Sequence, residues 1–247
     1  MSYTHTRQTT IALSLIAGSL FSATSHAQSS ASAAPSAEIT YNLGLVSDYR
    51  YRGISQTRLQ PAIQGGADLA YGDFYAGAWA SNIKWIKDAG FNGSLEFDLY
   101  GGYKYALNKN LTLDVGGLMY YFPSNSLKPS ANTVELYAGV ASGPYSVKYS
   151  RSVSNLFGFA DSKGSGYLEA NVDYELYKGT NVVAHIGRQM VKRNGYANYT
   201  DYKIGATREA LGGKLALSLV GTNEDFIGGN NKNLSKAGLV AGYTKTF

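Results

Sequence analysis

Side chains able to pair charge or exchange hydrogen bonds recur in this chain at every second position of short runs. In Tyr41–Arg52 one set is Asn42, Gly44, Val46, Asp48, Arg50 and Arg52, and the other is Tyr41, Leu43, Leu45, Ser47, Tyr49 and Tyr51. A period of two gives a strand one polar and one apolar face. Later polar sets carry Gln64 and Asp68, then Glu96, Asp98 and Lys104, then Asp114 and Glu135. They continue with Lys148, then Glu169, Asp173 and Glu175, then His185, and finally Asp201 and Lys203. Residues of this kind on one face of many strands are candidates for lining a polar lumen. Acids outnumber bases among them, which predicts a modest cation preference. The competing expectation is that the charges pair across the lumen and close it, with Arg50 and Arg52 opposite Asp68 as the first such pair.

Catalytic chemistry has little to stand on. Beyond residue 27 the only histidine is His185, which a Ser-His-acid site of an outer-membrane hydrolase would have to use. No GxSxG nucleophile motif accompanies it, so no catalytic residue is assigned and the chain is read as a non-enzyme. Cysteine is absent, which excludes disulfides and thiolate metal sites, and a histidine metal site would lack a second imidazole. Gly65-Gly66 and Gly101-Gly102 lie inside runs, where close backbone approach explains them better than phosphate binding does. No metal or cofactor is expected. The net charge of +5 is dispersed without a Lys/Arg run or RNA-binding motif, which speaks against nucleic acid as a partner.

The elements that must position these residues are strands. Charged residues make up 16 % of the 247, against about 25 % in an average soluble domain. Mean hydropathy is nonetheless −0.19, the outcome expected when lipid-facing and lumen-facing residues alternate. Residues 1–27 read as a signal peptide, with His5 and Arg7, an apolar core over 11–23 and a small-x-small site at Ser25-His26-Ala27. Residues 28–38 read as a flexible lead-in and 39–247 as a barrel domain. No later apolar segment has the 18 or so residues of a transmembrane helix.

About twelve strand-like runs follow, each near the length that crosses a membrane when tilted. They are placed at 39–52, 61–71, 74–83, 94–106, 110–122, 132–142, 145–153, 165–177, 180–191, 198–210, 213–222 and 235–247. Their connections alternate in length. Long polar segments (53–60, 84–93, 123–131, 154–164, 192–197 and 223–234) take turns with Gly72-Asp73, Leu107–Lys109, Gly143-Pro144, Lys178-Gly179 and Leu211-Gly212. Short turns at one end and long loops at the other predict an all-β, antiparallel transmembrane β-barrel of the outer membrane, both termini periplasmic. A soluble barrel with the apolar face inward is the alternative. Tyr49, Tyr51, Tyr103, Tyr105, Tyr120, Tyr121 and Phe122 sit at run ends, where interfacial girdles would lie. In the third run either Phe74/Ala76/Ala78 or Tyr75/Gly77/Trp79 could face lipid.

Twelve strands about 4.8 Å apart and tilted by about 40° give a backbone diameter of roughly 24 Å. Side chains would narrow that to an opening of about 10 Å, suited to small solutes. The expected function is passive diffusion of small hydrophilic solutes, and the alternative is a closed barrel with a structural or surface-binding role, using loops such as 84–93 with Trp85 and Phe91. Expected partners are outer-membrane lipid and lipopolysaccharide, the solute, and the barrel-assembly machinery through a last strand ending on Phe247.

Four stretches also resemble a known family. They are Ser47-Asp48-Tyr49-x-Tyr51-Arg52-Gly53-Ile54-Ser55-Gln56-Thr57, Pro61-Ala62-Ile63-Gln64-Gly65-Gly66, Phe74-Tyr75-Ala76-Gly77-x-Trp79-Ala80-Ser81-Asn82 and Glu96-Phe97-Asp98-Leu99-Tyr100-Gly101-Gly102. Together they resemble the TorF family of porins, also called the Gcw_chp family of conserved hypothetical proteins of Gram-negative bacteria. The likeness is dense over 41–102 and looser to the end. It implies an outer-membrane barrel with a porin-like role and defines no substrate.

Overall fold

The computed structural model describes residues 36–228 and 231–247. The proposed signal peptide and most of the lead-in lie outside them. Fourteen strands are present among the described residues: β1 (Ala37–Val46), β2 (Arg50–Tyr51), β3 (Ile54–Ser55), β4 (Ala62–Tyr71), β5 (Phe74–Asn82), β6 (Leu95–Asn108) and β7 (Leu111–Tyr121), followed by β8 (Thr133–Ser142), β9 (Tyr145–Ser152), β10 (Gly166–Tyr177), β11 (Thr180–Met190), β12 (Tyr199–Ala210), β13 (Gly213–Thr222) and β14 (Gly238–Thr246). Twelve of them form a closed antiparallel barrel, and β2 and β3 form a separate two-stranded ribbon. Every barrel strand pairs with its sequence neighbour in the wall. The seam pairs β1 with β14, Asn42 opposite Thr246. Phe247 N–H donates to Tyr41 O at 2.8 Å, so the last residue takes part in closure.

The alternation becomes an inside-out distribution of polarity. Ile39, Tyr41, Leu43, Leu45 and Ile63 are all more than half exposed, while Asn42, Gln64 and Asp68 on the same strands are buried. A protein in water would bury the first group and expose the second. Lipid around the wall reverses the preference, as in transmembrane barrels. The soluble alternative requires the opposite arrangement and is ruled out by it. No helix among the described residues is long and apolar enough to cross a membrane.

The two-residue turns and the termini share one end of the barrel. Ala37 pairs with Tyr71, next to Gly72-Asp73. At the other end the long loops pack together, with α1 (Trp85–Asp88) inside the second of them. The third run resolves clearly: Trp79 is buried and Tyr75 hydrogen-bonds inward, so Phe74, Ala76 and Ala78 face outward.

Three expectations need correction. The first strand ends at Val46 rather than at residue 52, because the chain then turns into the barrel. Tyr49 turns in with it, and Tyr120 and Phe122 lie on the inward parity at the end of β7, so all three are buried and do not belong to a girdle, whereas Tyr105 and Tyr121 do face outward. Trp85 does not stand free on the loop surface either: it is half-buried and packs edge-on against Phe122 at a centroid distance of 5.4 Å. Tyr49, Trp79, Ile83, Ile86, Tyr100, Tyr120 and Phe122 make a small apolar core at the loop end, on the β4–β8 side.

Candidate functional site

The site is built around the ribbon β2–β3. Arg52 and Gly53 form its tip, with φ of 45° and 81°. Positive φ at both central residues is the geometry of a type I′ hairpin turn, and glycine at the second position takes it without strain. Gly53 is also needed for space. A Cβ there would lie 2.6 Å from Thr222 Cγ2 and 2.7 Å from Asp201 Cβ, on β13 and β12, two and three places from β1 in the ring. The ribbon thus leaves β1 and rests its tip against β12 and β13, and the Arg52 side chain continues across the lumen to Glu135 of β8.

Asp48 folds the ribbon. Its carboxylate accepts from Arg50 Nε at 2.5 Å, from Ser55 Oγ at 2.5 Å and from Thr57 Oγ1 at 3.3 Å. Arg50 Nη1 then donates to Gly53 O and Leu234 O, each at 3.0 Å. Arg52 anchors the tip. Its Nη1 and Nη2 donate to Glu135 Oε1 and Oε2 of β8 at 3.0 and 2.7 Å, and Nη1 also reaches Gln189 Oε1 of β11 at 2.7 Å. Its guanidinium lies 3.9 Å from the centroid of the Tyr167 ring of β10. A two-pronged pair of this kind holds position as well as charge. The expected pairing of Arg50 and Arg52 with Asp68 is therefore not formed. Thr40, not an arginine, stands opposite Asp68, whose carboxylate accepts from Asn42 Nδ2 at 3.4 Å and from the Tyr100 hydroxyl.

The remaining candidates fall on the wall. Gln64, Asp68, Glu96, Asp98, Asp114, Glu135, Glu169 and Asp201 are buried, and Lys104, Lys148, His185 and Lys203 are half-buried. Asp173 and Glu175 depart from this set. Both are exposed toward the turn end, where Glu175 accepts from Gly179 N–H at 3.0 Å.

Two sides of the lumen differ. On the β4–β8 side tyrosines satisfy the acids: Tyr75 donates to Asp114 at 2.7 Å and Tyr120 to Glu135 at 3.2 Å. Their rings need glycines beneath them. A Cβ on Gly77 would run into Tyr100, one on Gly102 into Tyr75 and one on Gly116 into Tyr137. These tyrosines, with Gln189, were missed by sequence reasoning. The available signal was parity, since Tyr100 follows Glu96 and Asp98, and Tyr137 follows Glu135, in steps of two.

On the opposite side Lys148 Nζ pairs with Glu169 at 2.8 Å. His185 Nε2 lies 2.8 Å from Asp201 Oδ1 and 3.0 Å from the Tyr167 hydroxyl, and its Nδ1 lies 2.6 Å from Asn171 Oδ1. None of these partners is a serine hydroxyl, as the hydrolase reading would need. No group of three or more metal-ligating side chains occurs among the described residues.

A cavity of about 140 Å³ remains on this side, beneath the ribbon. Asp48, Arg50 and Arg52 border it above, Asp173, His185, Asp201 and Lys203 along β10–β12, and Lys214, Ser218 and Thr244 along β13–β14. Its acids, Asp48, Asp173 and Asp201, face the bases Arg50, Arg52, Lys203 and Lys214 in near balance. The acid excess of the whole inner face resides among the tyrosines, away from this space.

The family described as "Bacterial protein of unknown function (Gcw_chp)" matches residues 30–247. No curated relative matches the chain by sequence. Among solved structures, the KdgM porin is similar at a TM-score of 0.54 and 10 % identity, over 86 % of this chain and 98 % of that one. The KdgM porin in complex with disordered oligogalacturonate gives 0.53 and 10 % over the same shares. At such identity the likeness is one of fold.

Proposed function

The chain belongs to the Gcw_chp family, and from that premise and the geometry of its lumen we propose that it is an outer-membrane channel for passive diffusion of small hydrophilic solutes. The observation that carries this is the polar cavity left along β10–β14 while the ribbon and the tyrosines fill the other side. The route passes the ribbon tip and runs between Asp201, Lys203 and Lys214 toward the turn end. Short turns and both termini then face the periplasm, and the long loops face outward, in the usual orientation of such barrels.

The charges bordering the cavity nearly cancel, so weak ion selectivity is expected in place of the cation preference that the whole inner face suggests. For the same reason a polyanion such as the one in the KdgM complex has no special match here. Neutral or zwitterionic solutes of a few ångströms' width fit better.

Purified protein in planar bilayers should show small single-channel conductance steps, with a reversal potential close to zero in a salt gradient. One observation favours the closed-barrel reading: the ribbon, through the Arg52 side chain, spans the lumen and is bonded to both walls. A folded barrel that stays silent in the bilayer, and remains silent after the ribbon is shortened, would establish that reading instead.

A further inference from the structure

Outside the lumen, four cations gather at the loop end without a partner. Arg151, Lys163, Lys192 and Arg193 border a pocket of about 460 Å³, with Asp161 as the only acid in its lining. None of the four makes an ion pair within 4 Å among the described residues, and all four are exposed. Two of them converge. The point where a Cβ would stand on Gly164 lies 3.5 Å from both Arg151 Nη2 and Lys192 Nζ. Like charges brought this close repel, and an anion between them would relieve the repulsion.

The pocket is built rather than draped. Gly164 N–H donates to Ser152 O and Ser152 N–H to Ser165 O, each at 2.9 Å, and Lys192 N–H donates to Ser165 Oγ at 3.0 Å. Asn194 Nδ2 ties the neighbouring loop to Ala160 O at 2.8 Å. Leu156, Val191 and Ala197 form a small apolar cluster under both loops.

Its position identifies the occupant. Arg151 continues the outward set Tyr145, Val147 and Tyr149 of β9, all exposed. Lys192 continues the outward set Arg188 and Met190 of β11. Arg151 and Lys192 therefore sit on the outer circumference, above the lipid-facing band, and not over the lumen, and Lys163 and Arg193 border the same pocket. A soluble anion drawn toward the channel would meet them only off its path, whereas an anionic lipid headgroup in the outer leaflet would be level with them.

We propose that this pocket binds the phosphate groups of lipopolysaccharide in the outer leaflet. The proposal rests on the outward orientation of the loop end given under the function above. Folded protein in non-ionic detergent should bind diphosphoryl lipid A in a salt-sensitive way. Arg151→Gln with Lys192→Gln should weaken that binding by roughly 30-fold, each basic residue near an anionic leaflet contributing about a factor of five. Binding of dephosphorylated lipid A should be unaffected, and the heat-dependent gel shift of the folded barrel should persist in the variant. Equal binding by parent and variant would overturn the proposal. Displacement of lipid A by millimolar inorganic phosphate would make the pocket a free-anion site and overturn the lipid assignment. Tyr196→Cys, at a residue 82 % exposed in the adjacent loop, separates the two readings. Labelling by an impermeant maleimide on intact cells upholds the orientation, so a failed lipid result then counts against the pocket alone. Labelling only after permeabilisation would overturn the orientation and the proposal with it.

Discussion

Arg52 connects local chain geometry to the dimensions of the lumen. It occupies a left-handed turn position, and its guanidinium is held by Glu135 and Gln189 with little exposure to water. Removing one member of such a buried pair leaves the other charge uncompensated, at a cost of about 3–5 kcal/mol. Arg52→Ala should thus lower the unfolding temperature more than the double variant Arg52→Ala/Glu135→Gln does, with thermal unfolding followed by the gel shift of the folded barrel. Gly102 tests the tyrosine packing in the same spirit. A Cβ there would lie 2.6 Å from Val115 O as well as against Tyr75, so Gly102→Val should cost about 1–3 kcal/mol by overpacking. Gly65→Val should cost less, since its nearest neighbour would stand at 3.2 Å. The acids among these residues could be placed from sequence, because parity alone assigns a strand residue to a face. Their partners could not, since a partner two or three strands away depends on the curvature of the whole wall.

At the scale of elements, the ribbon β2–β3 is the decisive piece. The stretch from Ser47 to Thr57, the first of those that carry the family likeness, is this ribbon and the side chains that fold it. In the sequence, residues 47–52 of it read as the end of a strand and 53–57 as loop, because the alternation continues unbroken through Val46 into Asp48, Arg50 and Arg52. A ribbon also has a period of two, so periodicity cannot tell a wall strand from a strand folded inward. The Arg52-Gly53 pair was the available hint, as a hairpin turn with glycine in second place. Replacing Arg50–Ser55 with a short Gly-Ser linker should raise single-channel conductance several-fold and leave the twelve-stranded wall intact, as read from bilayer recordings and circular dichroism. Unchanged conductance would remove the ribbon from its role as the constriction.

At the scale of the whole molecule, closure depends on the two chain ends. β1 and β14 share fewer paired positions than most neighbours in the wall, Asn42–Val46 against Gly242–Thr246, with Tyr41 and Phe247 extending them. Lys245 lies on the exposed face and spans back over the Phe247 ring at 5.2 Å, a contact that lets its ammonium reach polar surroundings. Deleting residues 245–247 removes the Tyr41 bonds and part of this register. The truncated chain should refold into detergent in lower yield, as the fraction migrating in the compact form. Phe247→Leu, which keeps the backbone pairing, should refold close to the parent level.

The strand count, the antiparallel order, the outward apolar face and the bias of long loops to one end were all legible in the amino-acid order. Each depends on local alternation and on connection length, and lipid around the wall makes that alternation mandatory along every strand. The ribbon folded into the lumen, the bond from Arg52 to Glu135, the tyrosines seated over glycines and the cations meeting above Gly164 required the tertiary structure. In each case the energy lies between residues far apart in sequence, and only closing the barrel fixes which of them meet.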